Sequence, residues 1–282
     1  MKIKRKNISM ETLRKILENK YSNNELVTLA TRLDKEFQAS YFWNGWGFLE
    51  NYFSGKEIIQ LKAKYKDKEV YNYIVMKYGK NETVVKYNLI KQFMLDPKTI
   101  GLIEFNVGNS RLDIGKINGN SYAYEIKTEL DNTSRLEKQI ADYEKAFEFI
   151  YVVCHYKHLE NVKKIVPKKI GIQLFDINNQ EIRFKTIRKA QKNKSINKEF
   201  LLDSIHSKEY EFIIKEYLNI DKIPLYKADR MKLVNKHIKK NELLEVYKQI
   251  IKLRQSKKWY RIKQNFNAIL PIELQDIYSE EY

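Results

Sequence analysis

The sequence predicts a mixed α/β protein in which an α-β-β-β-α-β run, continued by α-β-β, lies between two helical regions. Three observations carry that expectation. The short β-rich runs "IGLIEFNV", "RLDIGKI" and "SYAYEIK" follow one another between Ile100 and Lys127, with Gly, Asn and Ser clusters between them. Segments with apolar residues at helical spacing come before and after. Beyond Lys189 the chain reads as helical and basic to its end. The 282 residues suit one large domain or a domain with appendages, and no internal repeat interrupts them.

Taken in order, residues 1–78 read as a helical region around the aromatic patch "YFWNGWGFLENYF", Tyr41 to Phe53. Such a patch can stack on unpaired bases, but the core of a small helical domain is the favoured reading. Residues 79–191 form the central unit. Its first helix, "NETVVKYNLIKQFMLD", has to stop before Pro97, whose ring disfavours helix in the residue ahead of it. The three strands follow. Asp131 to Ser134 supply cap chemistry for a helix running to about Glu148, with Leu136, Ile140, Tyr143 and Phe147 at helical spacing. A buried strand "FIYVVC", a short helix, "KIGIQLFDI", a turn at Asn178 and Asn179, and "EIRFKTI" complete the unit. The polar stretch "KAQKNKSINK" suggests a linker near residue 192, and residues 192–282 form a basic helical region. Its Lys and Arg alternate with Leu, Ile, Val and Tyr, so an apolar stripe on the central unit and a basic stripe toward a ligand are expected together.

Charge narrows the function classes. Fifty-three Lys and Arg against 36 Asp and Glu give a formal net charge of +17, which favours a polyanionic partner such as nucleic acid. A well-solvated surface from an AT-rich genome is the alternative source of so many lysines. The single cysteine, Cys154, allows neither an intrachain disulfide nor a Cys-rich zinc site, which suits a reducing cytoplasmic setting. No signal-like apolar run and no stretch of about twenty apolar residues occurs, so a soluble protein without a membrane partner is expected. His155, His158, His206 and His237 lack metal spacing, and no phosphate-binding Gly-rich loop supports ATP use.

The chemistry is concentrated in "GNSRLDIGKINGNSYAYEIKTELD", Gly108 to Asp131. Alternation puts Glu125 and Lys127 on one strand face with Ala123, and Asp113 on one face with Gly115 and Ile117. A two-residue turn would set Asp113 across from Tyr124. A three-residue Asn118-Gly119-Asn120 loop sets it across from Glu125, and this register is expected. It would collect Leu112, Ile114, Tyr122, Tyr124 and Ile126 on one apolar face and leave Gly115 and Ala123 as room for another body beside the carboxylates. Gly119 or Asn120 would be left-handed. Opposed carboxylates repel unless a cation lies between them, and Mg²⁺, with Mn²⁺ as a substitute, fits Asp113, Glu125 and the Ile126 carbonyl. Lys127 would then orient or help deprotonate a water attacking a phosphodiester. A solvated strand face with a weak Glu-Lys ion pair is the plainer alternative.

The ordered set of an Asp, an E-x-K and a Q-x-x-x-Y resembles the PD-(D/E)XK nuclease superfamily, in particular its RecB-like branch. Residues from about 80 to 215 are similar to a group of bacterial proteins assigned to it, and bacterial or phage origin is expected. The resemblance implies a restriction-endonuclease-like αβββαβ core. Within it Asp113 and Glu125 would be metal ligands, Lys127 the catalytic lysine, and Gln139 with Tyr143 residues near the substrate backbone. Glu104 and Glu82 are weaker additional metal candidates. Leu112 stands where the family name has Pro. Gln139 and Tyr143 can equally pair locally on their helix, Arg135 can meet phosphate or nearby acids, and Glu82 suits a helix N-terminus in any case.

The expectation is therefore a metal-dependent nuclease, catalysis resting on Asp113, Glu125 and Lys127, with DNA preferred over RNA. Defence or repair is a compatible role, as is work beside a protein partner or as a homodimer. The alternative is a nuclease-fold protein without catalysis that binds nucleic acid or protein.

Overall fold

A computed structural model of the chain describes residues 9–39, 44–178 and 181–274. Tyr41 to Trp43 of the aromatic patch and Asn179 of the expected turn lie outside these residues. Helices α1 (Glu11–Lys20), α2 (Asn23–Ala39), α3 (Gly45–Leu49), α4 (Gly55–Lys62) and α5 (Asp67–Tyr78) form the N-terminal region. They close over their own apolar core, which includes Leu13, Leu33, Leu61 and Tyr71. Phe53 is part of that core, and Trp46, Phe48 and Tyr52 pack against it.

Asn81 accepts the Val84 N–H through its side chain and starts α6 (Glu82–Phe93), a true N-cap. Strands β1 (Ile100–Val107), β2 (Ser110–Asn118) and β3 (Asn120–Lys127), helix α7 (Leu136–Tyr143) and strand β4 (Phe149–Cys154) follow. Helix α8 (Leu159–Ile165) then leads to β5 (Gly171–Asn178) and β6 (Glu181–Arg188). The six strands lie in one mixed sheet in chain order, β3-β4 and β4-β5 parallel and the other neighbours antiparallel. Among the described residues no helix is long and apolar enough to cross a membrane.

The β2-β3 hairpin takes the register of the three-residue loop. Ile114 pairs with Tyr124, Gly115 with Ala123 and Ile117 with Ser121. Gly119 sits at φ 66°, the left-handed region that glycine enters without a Cβ clash. The expected apolar face forms except at Leu112, with Tyr122 packed against the same core as Ile114, Tyr124 and Ile126. Ile114, Tyr124 and Ile126 share a core with α6, while Leu112 lies in the opposite core with α7. The cause is a kink. Pairing of β1 with β2 runs from Ile103↔Ile114 straight to Phe105↔Leu112, leaving Glu104 and Asp113 between them unpaired, and Glu104 has φ 50°. Alternation therefore breaks, and Leu102, Phe105 and Val107 all fall on the α7 side. Nor are Gly115 and Ala123 openings for a ligand. A Cβ on Gly115 would lie 2.9 Å from Leu112 and 3.1 Å from Leu102, and Ala123 is fully buried. The space is filled by the protein's own side chains because helices cover both sheet faces.

Helix α7 ends at Tyr143 rather than near Glu148. The turn after it is held by Asn193, whose amide donates to the carbonyls of Glu144 at 2.6 Å and Phe147 at 3.0 Å. Asn193 and Ile196 are buried, so the polar stretch at 189–198 is docked rather than a free linker. Helices α9 (Lys198–Asp203), α10 (Ser207–Glu216), α11 (Lys227–His237) and α12 (Lys240–Asn265) share the α7-side core with the sheet. Helix α12 passes from one sheet face to the other across edge strand β1. Its Val246, Ile250 and Ile251 lie in the α7-side core, and its Trp259 and Ile262 in the α6-side core. Trp259 rests on Gly101, where a Cβ would stand 2.2 Å from the indole ring. An edge strand covered in this way cannot pair with another chain there.

Candidate functional site

Next to the kink, a pocket of about 460 Å³ lies beside α6, β2, β3 and α7, lined by Asp113 among others. Glu104, Asp113 and Glu125 lie on three neighbouring strands, each next to a paired residue of the ladder: Ile103↔Ile114 and Ile114↔Tyr124. Glu82, in the first turn of α6, reaches the same place. One carboxylate oxygen each from Glu82, Glu104 and Asp113 lies within 4.8 Å of the others. The two residues the resemblance offered as weaker metal candidates thus join Asp113.

Glu125 meets different partners. It is 1% exposed, and its Oε1 accepts the Lys127 Nζ at 2.7 Å while its Oε2 accepts the Tyr143 hydroxyl at 2.6 Å. Lys127 also donates to Gln139 Oε1 at 3.2 Å. Tyr143 is fully buried, its hydroxyl 3.0 Å from the Arg111 carbonyl as well. Gln139 and Tyr143 therefore fasten Lys127 and Glu125 from α7. The backbone group of Ile126 turned toward Asp113 is its N–H, which donates to Asp113 Oδ2 at 2.6 Å. Arg135 lies exposed among the pocket-lining residues, beside Lys138.

Electrostatics follow from burial. Desolvation, then the negative charges of Glu125 and Glu82, push the Asp113 carboxyl well above the ordinary range, more than Lys86 and the Ile126 N–H pull it down. Glu125 is raised by burial against the opposing pull of Lys127 and Tyr143. Burial and Glu125 raise the Tyr143 phenol, which stays a donor.

Two cations were not singled out by the sequence reading. Lys86, one turn after Glu82 on α6, is 8% exposed and is ion-paired to both Glu82 and Glu104. Burial alone would lower its pKa, but Glu82, Asp113 and Glu104 together hold it above the usual lysine value. Arg111 binds Glu104 Oε2 through Nε at 2.6 Å. The spacing of Glu82 and Lys86 was the available signal, since residues four apart meet on a helix. Of the histidines, His158 is buried with Nε2 2.9 Å from the Thr128 carbonyl, and burial lowers the His155 pKa.

The profile of the bacteriophage P4 protein cII family matches residues 76–277. The chain belongs to this family. Protein cII of Enterobacteria phage P4 is 33% identical over 131 residues, 46% of this chain and 49% of the phage protein. The chain thus spans about half the length of the curated relative it matches. A solved structure, the SPO1766 protein of unknown function from Silicibacter pomeroyi, covers 60% of this chain and 88% of its own at 12% identity. Its TM-score of 0.27 supports no structural argument. The cII match takes in α6, the whole sheet and all four carboxylates Glu82, Glu104, Asp113 and Glu125, while α1 to α4 fall before it.

Proposed function

We propose that this member of the cII family is a metal-dependent nuclease with a restriction-endonuclease-like core, acting on DNA in preference to RNA. One observation carries the reading: Asp113, Glu125 and Lys127 line a single pocket, with Gln139 and Tyr143 bonded to Lys127 and Glu125. The element order α6-β1-β2-β3-α7-β4 is that of the superfamily the motifs resemble. The donor set fits a hard cation. Three carboxylates converge, and Asp113 is raised first by burial and then by the charges of Glu125 and Glu82. Asp113 with Glu104 and Glu82 would hold Mg²⁺ or Mn²⁺, with Glu125 behind them. Such an ion supplies Lewis acidity toward phosphoryl oxygens and a nucleophilic water at neutral pH. Lys127, fixed between Glu125 and Gln139, directs its charge to the reacting phosphate and orients the attacking water. Arg135 and Lys138 meet neighbouring phosphates. A lone buried thiol, Cys154, suits the cytoplasm.

Cleavage of labelled single-stranded and duplex DNA and RNA with Mg²⁺, Mn²⁺ or EDTA tests the proposal. Metal-dependent cutting lost in both Asp113→Ala and Lys127→Ala is the expected result. Lys86 favours a second reading, since its ammonium already neutralises Glu82 and Glu104. On that reading the protein only binds nucleic acid or protein. Binding without cutting, unchanged by Asp113→Ala, would establish it in place of the nuclease.

A further inference from the structure

Arg111 lines a second space as well as the acidic pocket. On its other side lies a cleft of about 620 Å³ between edge strand β1 and helix α12. Its wall carries Arg111, Arg254 and Lys258, with Arg111 ion-paired to the lining carboxylate Glu104. Arg254 and Lys258 are four residues apart on α12, one above the other on the same helix face. The Arg254 guanidinium is held in place by Glu209, with Nε at 2.9 Å from Oε1 and Nη2 at 2.6 Å from Oε2. Helix α12 is in turn anchored by Trp259 against Gly101. Arg254 therefore stands in a fixed orientation on an anchored helix, in a chain of formal net charge +17.

We propose that this cleft receives the phosphodiester backbone of a polynucleotide strand on one side of the phosphate held in the acidic pocket. Arg111 stands at the passage between the two spaces, and Lys258 and Arg254 contact the backbone beyond it. The proposal rests on the nuclease reading and adds the path of the substrate. Contacts of this kind position a strand without reading its bases, so binding through the cleft is independent of sequence and falls with salt.

Fluorescence anisotropy in EDTA measures this apart from cleavage, using labelled DNA of single and double strand over a range of salt. Lys258→Glu is compared with Lys56→Glu, the same charge change on α4, after matching their melting temperatures to wild type. Lys258→Glu should weaken binding about tenfold and lower the salt slope by about one, while Lys56→Glu changes affinity less than about twofold. Lys258→Gln, which removes the charge without reversing it, should fall between. Equal effects of the Lys258 and Lys56 substitutions, including none, would overturn the cleft and leave the nuclease reading standing. A wild-type protein that binds no DNA even at low salt would overturn both.

Discussion

The Tyr143 hydroxyl donates to Glu125 Oε2 at 2.6 Å with both side chains at most 1% exposed. A carboxylate so deeply buried keeps its orientation only through its partners, here Tyr143 on one oxygen and Lys127 on the other. Tyr143→Phe removes one of them and leaves the ring in place. The variant should lose about 1.5–3 kcal/mol in urea unfolding, the range for a hydrogen bond to a charged group. It should also cut nucleic acid more slowly if the pocket is catalytic. An unchanged unfolding midpoint would contradict this role.

Lys127 and Glu125 form a buried pair, so removing one charge exposes the cost of the other. Lys127→Met should destabilise by about 3–5 kcal/mol, whereas Lys127→Met combined with Glu125→Gln should recover much of that loss. If the pocket is catalytic, both proteins should be inactive. A double-mutant cycle measured by denaturation checks the coupling, and additive losses would rule it out.

Asp113 is held in a surplus of negative charge, with its carboxyl pKa raised. Asp113→Asn keeps an acceptor for the Ile126 N–H and removes one charge from the cluster. Without metal it should melt higher than wild type near neutral pH, and on the metal reading Mn²⁺ should stabilise wild type but not this variant. Differential scanning calorimetry with and without Mn²⁺ reads both effects. A lower melting temperature without metal would mean that Asp113 is a structural anion rather than a site held for a cation.

Asp34 on α2 accepts the Thr83 hydroxyl at 2.8 Å, and burial raises its pKa from 3.8 to about 6. The folded protein thus prefers the neutral acid. Its contribution is fully present below the unfolded pKa and is lost as pH rises through about 6. Wild type minus Asp34→Asn should lose about 3 kcal/mol between acidic and neutral pH. Urea unfolding of both proteins across that range measures the difference, and a pH-independent difference would refute it.

Gly101 admits the indole of Trp259 against β1, so Gly101→Val drives a side chain into the ring. A loss of about 1–3 kcal/mol or more is expected from the overpacking. Because α12 also forms the wall of the second cleft, the same variant should weaken DNA binding in EDTA. Unaltered stability would show that α12 shifts freely over the edge strand.

Much of the central sheet was legible because its signals are local. Alternating apolar residues and a glycine in the turn set the β2-β3 register, from Asn118↔Asn120 to Ile114↔Tyr124. The expected apolar face failed at Leu112 for a non-local reason. Alternation assumes an uninterrupted strand, and the left-handed Glu104 on the neighbouring strand interrupts it. The motif residues Asp113, Glu125, Lys127, Gln139 and Tyr143 were read from their order along the chain. Their division of labour was not, since which oxygen of Glu125 faces Lys127 and which faces Tyr143 depends on how α7 packs.

The sequence by itself determined the order of helices and strands in the central unit, the hairpin register, the basic balance and the motif residues Asp113, Glu125, Lys127, Gln139 and Tyr143 of the pocket. The tertiary structure decided the rest. It turned Lys86 from a helix-surface lysine into a buried counter-ion by packing α6 on the sheet. It docked the stretch at 189–198 in place of a free linker and laid α12 across the edge strand, while the packing of the C-terminal helices on the central unit was already expected from their apolar stripe. Backbone propensity and side-chain alternation act over a few residues and can be read in order. Burial, and the charges that burial makes strong, depend on segments that meet only when the chain is folded.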